Sequence, residues 1–239
     1  MAKPGKGAAR PQLDTEVATR ARDPFETLYM GVIQTNDPLL LERGQGSSEI
    51  YRDLKRDGKV FSSMQKLGLA LISKPWQVDP VADTPKGSAD AELVSEMLSA
   101  INFDQITLAM LGGIIESPAI AEVVWTVQDG RIVPSAIKPR ARRRFTYVEV
   151  DAQQSPELRM LTREHMLTGV ELPQRKFIVH RVNPEDDNPY GTGLGLQLYW
   201  PVFFKRAGVI AWNKLADRFG TPTPWGKYPR TATPREKDT

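Results

Sequence analysis

The sequence predicts an α+β fold in which helices flank a β-rich middle region and a long helix lies near the carboxy-terminal end. Between Ser47 and Ser73, apolar residues recur at the spacing of a helix. From Ile120 onward, the pattern changes to short β-like runs separated by turn residues. From Leu194 to Phe219, large apolar residues are dense enough for a helix of several turns.

Composition limits the classes of protein to which the chain belongs. Its 239 residues, 40% of them hydrophobic, suit one or two globular domains. It has no cysteine, which excludes disulfides, thiol nucleophiles and thiolate metal ligands. Its 32 basic and 29 acidic residues leave a small net charge, so any contact with DNA must come from local patches. No segment resembles a membrane span or a signal peptide, which predicts a soluble cytosolic protein without a membrane partner.

The first half of the chain reads as a flexible arm followed by a helical region. Residues 1–24 combine Lys, Arg, Pro, Gly and Ala with few large apolar groups, so we expect a flexible basic arm there. Residues 25–118 form the helical region. In it, Ser48 is a candidate cap for a first helix, and Gly58 is the expected break before a second one.

Three further elements are predicted within this helical region. The segment KPWQVDP reads as a short strand bounded by prolines. The spacing of Leu93, Met97, Leu98 and Ile101 then indicates another helix. The apolar run from Ile106 to Ile115 indicates a buried helix.

The second half of the chain is predicted as β-rich and then helical. Residues 119–185 begin with a hairpin signal, IAEVVWTV and RIVPSAI around Asp129-Gly130, and continue with the candidate strands RRFTYVEV, ELRMLT and RKFIVHRV. Residues 186–220 form the long helix region, with a kink expected at Pro201. Residues 221–239 are proline-rich and polar, which indicates a linker to a missing carboxy-terminal part.

Motifs of known chemistry are absent from the sequence. The stretch NPYGTGLGLQ is not a dinucleotide-binding GxGxxG motif and fits a turn into a helix, and there is no phosphate-binding GxxxxGK[ST] motif. His165 and His180 form no HExxH motif. Glu185, Asp186 and Asp187 either bind a cation or are merely solvated. We therefore expect no catalytic residue, no metal site and no cofactor.

The segment RIVPSAIKPRARRRFTY contains basic residues and no acidic residue. Its candidate charge contacts are Arg140, Arg142, Arg143 and Arg144. These arginines suit binding of DNA phosphates, or else they lie on a solvated face or in salt bridges between subunits.

The long helix carries a dense set of aromatic residues. The candidates are Trp200, Phe203, Phe204, Trp212 and Phe219. They suit a stacking surface, but burial between helices or between subunits explains their density better.

Three ordered stretches resemble the amino-terminal part of the Mu-like bacteriophage portal protein family. They are YRDLKRDGKVFSSMQKLGLALISKPWQVDP, AEVVWTVQDGRIVPSAIKPRARRRF and NPYGTGLGLQLYWPVFFKRAGVIAWNKLADRFGTPTPWGKYP. The specificity lies in their order and spacing and in the length of the last match. Portal proteins of this kind continue well beyond the point at which this sequence ends.

The resemblance implies a phage portal fold and a mechanical function. The subunit would form a ring with copies of itself, expected to be a dodecamer, around a channel for double-stranded phage DNA. Its partners would be the terminase large subunit, the major capsid protein and the head-tail connector proteins. The protein would lie at the portal vertex of the virion, and in the host cytoplasm during assembly.

Two other functions remain open from the sequence. A monomeric basic DNA-binding protein would use the arginine run and bind with a steep dependence on salt. A metal-dependent DNA-processing enzyme would use acids such as Asp186 and Asp187.

Overall fold

A computed structural model describes residues 31–44, 49–150, 156–185, 187–220, 227 and 229–237. The predicted basic arm, Ser48 and part of the predicted linker lie outside the described residues. The chain divides into two units, one ending at Leu196 and the other beginning at Gln197. Helices and antiparallel strands together confirm the predicted α+β class. The domain boundaries given above stay predictions.

Helices dominate the first part of the described chain. After a short strand, β1 (Val32–Ile33), come α1 (Pro38–Glu42), α2 (Glu49–Leu54), α3 (Gly58–Ile72), α4 (Pro85–Ala100) and α5 (Phe103–Met110). The break at Gly58 is confirmed. It is stabilised by Asp57, whose side chain accepts hydrogen bonds from the amides of Lys59 and Val60 at 3.0 and 3.3 Å. Such a cap satisfies amides that a helix leaves without a partner at its first turn.

The predicted strand at KPWQVDP is wrong. This segment has no regular secondary structure, and the sheets of the described residues contain no strand that pairs with it. Trp76 instead packs edge-on against Phe103, with ring centroids 5.6 Å apart. The segment is therefore a connection held by an aromatic contact rather than by a backbone ladder.

The predicted hairpin is confirmed. Strands β2 (Ala119–Gln128) and β3 (Arg131–Arg140) pair antiparallel up to Gln128 and Arg131. Asp129 and Gly130, between the strands, have φ angles of 51° and 74°. A two-residue turn with positive φ at both positions matches the right-handed twist of the strands it joins, and glycine adopts it without steric cost.

Each of the other predicted strands contains an observed one. They are β4 (Phe145–Val148), β5 (Glu157–Met160) and β7 (Phe177–His180), and a further short strand, β6 (Val170–Glu171), precedes β7. One antiparallel sheet has the order β3-β2-β7 and the other β1-β4-β5-β6. The chain passes from the first sheet to the second through a 3₁₀ turn at Arg142–Arg144. The arginine run therefore lies where the two sheets are joined.

The long carboxy-terminal helix is also present. Helix α6 spans Gly195–Phe219 and includes Pro201, and α7 (Pro234–Lys237) follows it. Across the described ranges, no single helix has both the length and the apolar character to cross a membrane. Within the same ranges, α4 and the stretch Phe103–Ile114 together have that length and apolar character, but they are bent by 75° relative to each other.

Residues 188–195, which we call the glycine loop, form the buried centre of the first unit. The Nδ2 group of Asn188 donates to the carbonyl of Gln34 and to Oδ1 of Asn36, both at 2.8 Å. The hydroxyl of Tyr190 accepts from the amide of Tyr147 at 3.1 Å. A buried polar group without a partner is costly, so these bonds fix the path of the loop.

The glycines of this loop are required by close packing. A Cβ on Gly193 would lie 2.7 Å from the carbonyl carbon of Ile115, and one on Gly195 would lie 2.7 Å from Cγ of Tyr51. The amide of Gly195 also donates to the carbonyl of Ile115 at 3.0 Å. The start of α6 is therefore held against the chain that follows α5 and against α2.

Substitution of Gly193→Ala tests this packing. We expect the free energy of unfolding to fall by about 1–3 kcal/mol, because the new methyl group overlaps the backbone at Ile115. Gly112→Ala is the control, since a Cβ at Gly112 would meet no atom within 4 Å. Urea unfolding followed by circular dichroism compares the two variants. Equal stability would show that the loop does not pack in this way.

Candidate functional site

The four candidate arginines have different environments, beginning with Arg140 at the end of β3. Its guanidinium bonds to the carboxylate of Glu122 on β2, with Nη2 and Nε at 2.6 and 2.8 Å from Oε2. Both side chains are partly buried. Arg140 therefore links two strands of the same chain, and Glu122 largely neutralises its charge.

Arg142 is half-buried and points to the interior. Its guanidinium carbon lies 5.3 Å from the centre of the Tyr190 ring, at a distance typical of a cation–π contact. Burial lowers its pKa, and this effect is opposed first by the charge of Glu116 and also by that of Asp37. Arg142 thus contributes to the packing around the glycine loop.

Asp37 and Tyr51 complete this interior group. The Asp37 carboxylate accepts hydrogen bonds from the Tyr51 hydroxyl and from the amides of Leu39 and Leu40 at the start of α1. Burial, together with the hydrogen bond to Asp37, raises the pKa of Tyr51 above its ordinary value. This pair was not predicted from the sequence, because Asp37 precedes α1 and Tyr51 lies on α2.

Arg143 and Arg144 face outward. Arg143 pairs with Glu49 on α2, and both side chains are exposed. Nη2 of Arg144 lies 3.7 Å from the sulfur of Met160. Both arginines line a cleft of about 540 Å³, here called the arginine cleft, whose other lining residues are Met160, Leu161, Thr162, Arg163 and Met166. Arg163 was not predicted from the sequence, because it is brought near Arg144 by the pairing of β4 with β5, which local patterns do not show.

Helix α6 exposes most of its aromatic side chains. The five candidates are all exposed in the single chain: Trp200, Phe203, Phe204, Trp212 and Phe219. Trp212 and Phe219 are 73% and 70% exposed. The side chains contact one another along the helix, as Trp200 and Phe204 do with ring centroids 5.8 Å apart. The interpretation that these residues pack at a subunit interface stays a prediction.

Part of this set forms a continuous surface, here called the aromatic ridge. Residues three or four apart share one face of a helix. The ridge follows this spacing and consists of Trp200, Phe204, Gly208, Ala211, Trp212, Leu215 and Phe219. A Cβ on Gly208 would meet no atom within 4 Å. The ridge therefore has an open depression at Gly208, in the middle of its length.

The acidic residues do not form a metal site within the described part of the chain. No group of three or more His, Asp or Glu side chains is arranged there so that it could hold a metal ion. Asp186 lies outside the described residues. His180 is in β7, and His165 is in the turn after β5.

A pair of substitutions distinguishes the buried arginine from the exposed one. Arg142→Gln should lower the free energy of unfolding by about 1–2 kcal/mol, because it removes the contact with the Tyr190 ring. Arg144→Gln should change it by less than about 0.5 kcal/mol, as is usual at exposed positions. Thermal and urea unfolding of both variants provide the measurement. Equal losses would contradict the different roles assigned to the two side chains.

Comparison with known proteins finds relatives in a phage and in a Mu-like prophage. The family model described as the portal protein of Mu bacteriophage matches residues 48–239. The portal protein of Escherichia phage Mu is 27% identical over 203 residues, covering 83% of this chain and 39% of that protein. The Mu-like prophage FluMu protein gp29 of Haemophilus influenzae is 27% identical over 196 residues, covering 80% of this chain and 37% of that protein.

The matched region takes in the elements described above from α2 to α7, including the glycine loop, the arginine cleft and the aromatic ridge. The chain spans less than two fifths of the length of these two relatives. The family match covers well over half of the chain itself. The chain therefore belongs to the family of portal proteins of Mu bacteriophage.

Proposed function

We propose that the chain is the amino-terminal part of a portal subunit whose copies close into a ring, expected to be a dodecamer. Double-stranded phage DNA passes through the ring during packaging and ejection. The observation that carries this proposal is the family match over residues 48–239. Membership of this family supports a structural role in a phage and no catalytic one.

The aromatic ridge supports self-association. A helix that is apolar on much of its surface is normally buried, yet Phe204, Trp212 and Phe219 are each more than 60% exposed in the single chain. Large exposed apolar surfaces mark sites of protein association. We assign the ridge to contact with a neighbouring copy of the subunit.

A ring also needs a second, different surface on each subunit. In a head-to-tail ring, one patch of each copy contacts another patch of the next copy. An apolar groove of about 450 Å³ between α3 and α5 offers such a surface, and Phe61, Met64 and Leu108 are among its lining residues. We assign this groove to the opposite side of the subunit contact.

The remaining partners follow from the family and form part of the same proposal. A portal subunit meets the major capsid protein at the vertex of the virion. It docks the terminase large subunit during packaging and the head-tail connector proteins afterwards. Assembly takes place in the host cytoplasm.

Trp212→Ala tests the proposed subunit contact. Because Trp212 is 73% exposed in the single chain, its loss should leave the free energy of unfolding of the monomer nearly unchanged. It should weaken assembly by about tenfold or more, as is typical for a tryptophan at the centre of an interface. Multi-angle light scattering over a series of concentrations measures the assembly.

Val127→Ala is the matched control, since Val127 is 71% exposed on the hairpin and outside both proposed surfaces. It should assemble like the unsubstituted chain. A chain that is monomeric at every concentration, also when extended to the length of its relatives, would disprove the ring. Normal assembly of the Trp212→Ala variant would disprove the role of the ridge.

A further inference from the structure

We propose that the arginine cleft binds the phosphate backbone of double-stranded DNA, with Arg144 and Arg163 as the two phosphate-binding side chains. This inference rests on the proposed function, in which DNA passes the ring, and it assigns a site to the contact. It also changes the set of residues that the sequence indicated. Arg163 joins the site, and Arg140 and Arg142 leave it.

The backbone brings the two arginines to the same cleft. The amide of Leu161 donates to the carbonyl of Arg144 at 2.7 Å, which fixes the end of β5 beside the 3₁₀ turn. The turn that carries Arg163 is closed by a hydrogen bond from the amide of His165 to Oγ1 of Thr162 at 3.1 Å. Both arginines therefore lie on hydrogen-bonded backbone and line one cleft.

Arg144 and Arg163 differ from the neighbouring arginines in their ion pairing. Arg140 is paired with Glu122, and Arg143 with Glu49. Arg144 and Arg163, by contrast, form no ion pair within the described ranges of the chain. Two uncompensated guanidinium groups at one cleft attract an anion, and each has the planar fork that binds two phosphate oxygens together.

The acids of β5 and β6 form their ion pairs elsewhere. Glu157 and Glu171 both lie within ion-pair distance of Arg159, at 3.2 and 3.7 Å. Arg159 alternates with Met160 along β5, so its side chain is on the opposite face of the sheet from that of Met160. These carboxylates therefore do not neutralise the cleft.

The remaining lining of the cleft favours backbone contact without sequence reading. Its other side chains are mainly apolar, from Met160, Leu161 and Met166, and it has no Asn or Gln side chain to recognise adenine. Contacts to phosphates fix position but carry no sequence information. Such contacts suit a duplex that must slide past the protein.

The experiment measures binding of a short fluorescent duplex to the 239-residue chain over a series of salt concentrations. The test variant carries both Arg144→Gln and Arg163→Gln. The control variant carries Arg56→Gln and Arg131→Gln, which remove the same charge from two exposed positions outside the cleft. Light scattering records the mass of all three proteins in the same buffers.

We expect the test variant to bind DNA more weakly. The negative slope of log affinity against log salt should become shallower by about 2, because each arginine accounts for one phosphate contact. The loss should be equal for duplexes of different sequence, and the control should keep most of the slope. Equal slopes for test and control variants would overturn the inference.

The same data separate this inference from the proposed function. If the unsubstituted chain forms rings and the test variant binds DNA normally, the cleft assignment fails and the portal ring stands. If the test variant loses its ring while its DNA slope is unchanged, the cleft is a protein contact and the inference fails. If no protein assembles, also when the chain is extended to the length of its relatives, the ring fails, and a reduced slope in the test variant would still support the cleft.

Discussion

The fold depends on burying the glycine loop, a polar stretch of backbone, at the meeting point of several elements. The side chain of Asn188 donates a hydrogen bond to the segment between β1 and α1. The hydroxyl of Tyr190 accepts a hydrogen bond from the amide of Tyr147 in β4. The hydroxyl of Ser117, just before β2, donates to the carbonyl of Tyr190 at 2.7 Å. One loop therefore connects the two sheets and the segment before α1, because these buried polar groups have partners beside β1, in β4 and just before β2.

This constraint also explains how a uniform run of arginines is divided among different tasks. The 3₁₀ turn that joins the sheets passes next to the glycine loop, so Arg142 is drawn over the ring of Tyr190. Arg140, at the end of its strand, meets Glu122 on the neighbouring strand. The outward side of the 3₁₀ turn is accessible to another molecule. Arg144 is on this side, where it lines the arginine cleft together with Arg163.

Local patterns in the sequence predicted the local elements. Asp129-Gly130 predicted the hairpin because a tight turn depends on the residues within it, and Gly58 predicted the helix break for the same reason. The strand expected at KPWQVDP failed because a strand needs a pairing partner, which local composition does not show. Long-range pairing likewise hid the contribution of Arg163 and the bond between Asp37 and Tyr51.

The aromatic residues of α6 show a different limit. Their density predicted burial between helices or between subunits, and the single chain leaves them exposed. An apolar pattern predicts that a side chain is buried, but it does not show which molecule buries it. Membership of the Mu portal family supports the proposal that a neighbouring identical subunit covers the ridge.

Thiol labelling tests most directly whether a second copy covers the aromatic ridge, because the natural chain has no cysteine to interfere. Leu215→Cys places one thiol on the ridge, and Val127→Cys places one on the exposed hairpin as a reference. We expect the thiol at position 215 to react slowly with a maleimide in the assembled protein and quickly after dilution to monomers, while the reference reacts quickly in both. Equal rates at position 215 before and after dissociation would show that the ridge is not the contact between subunits.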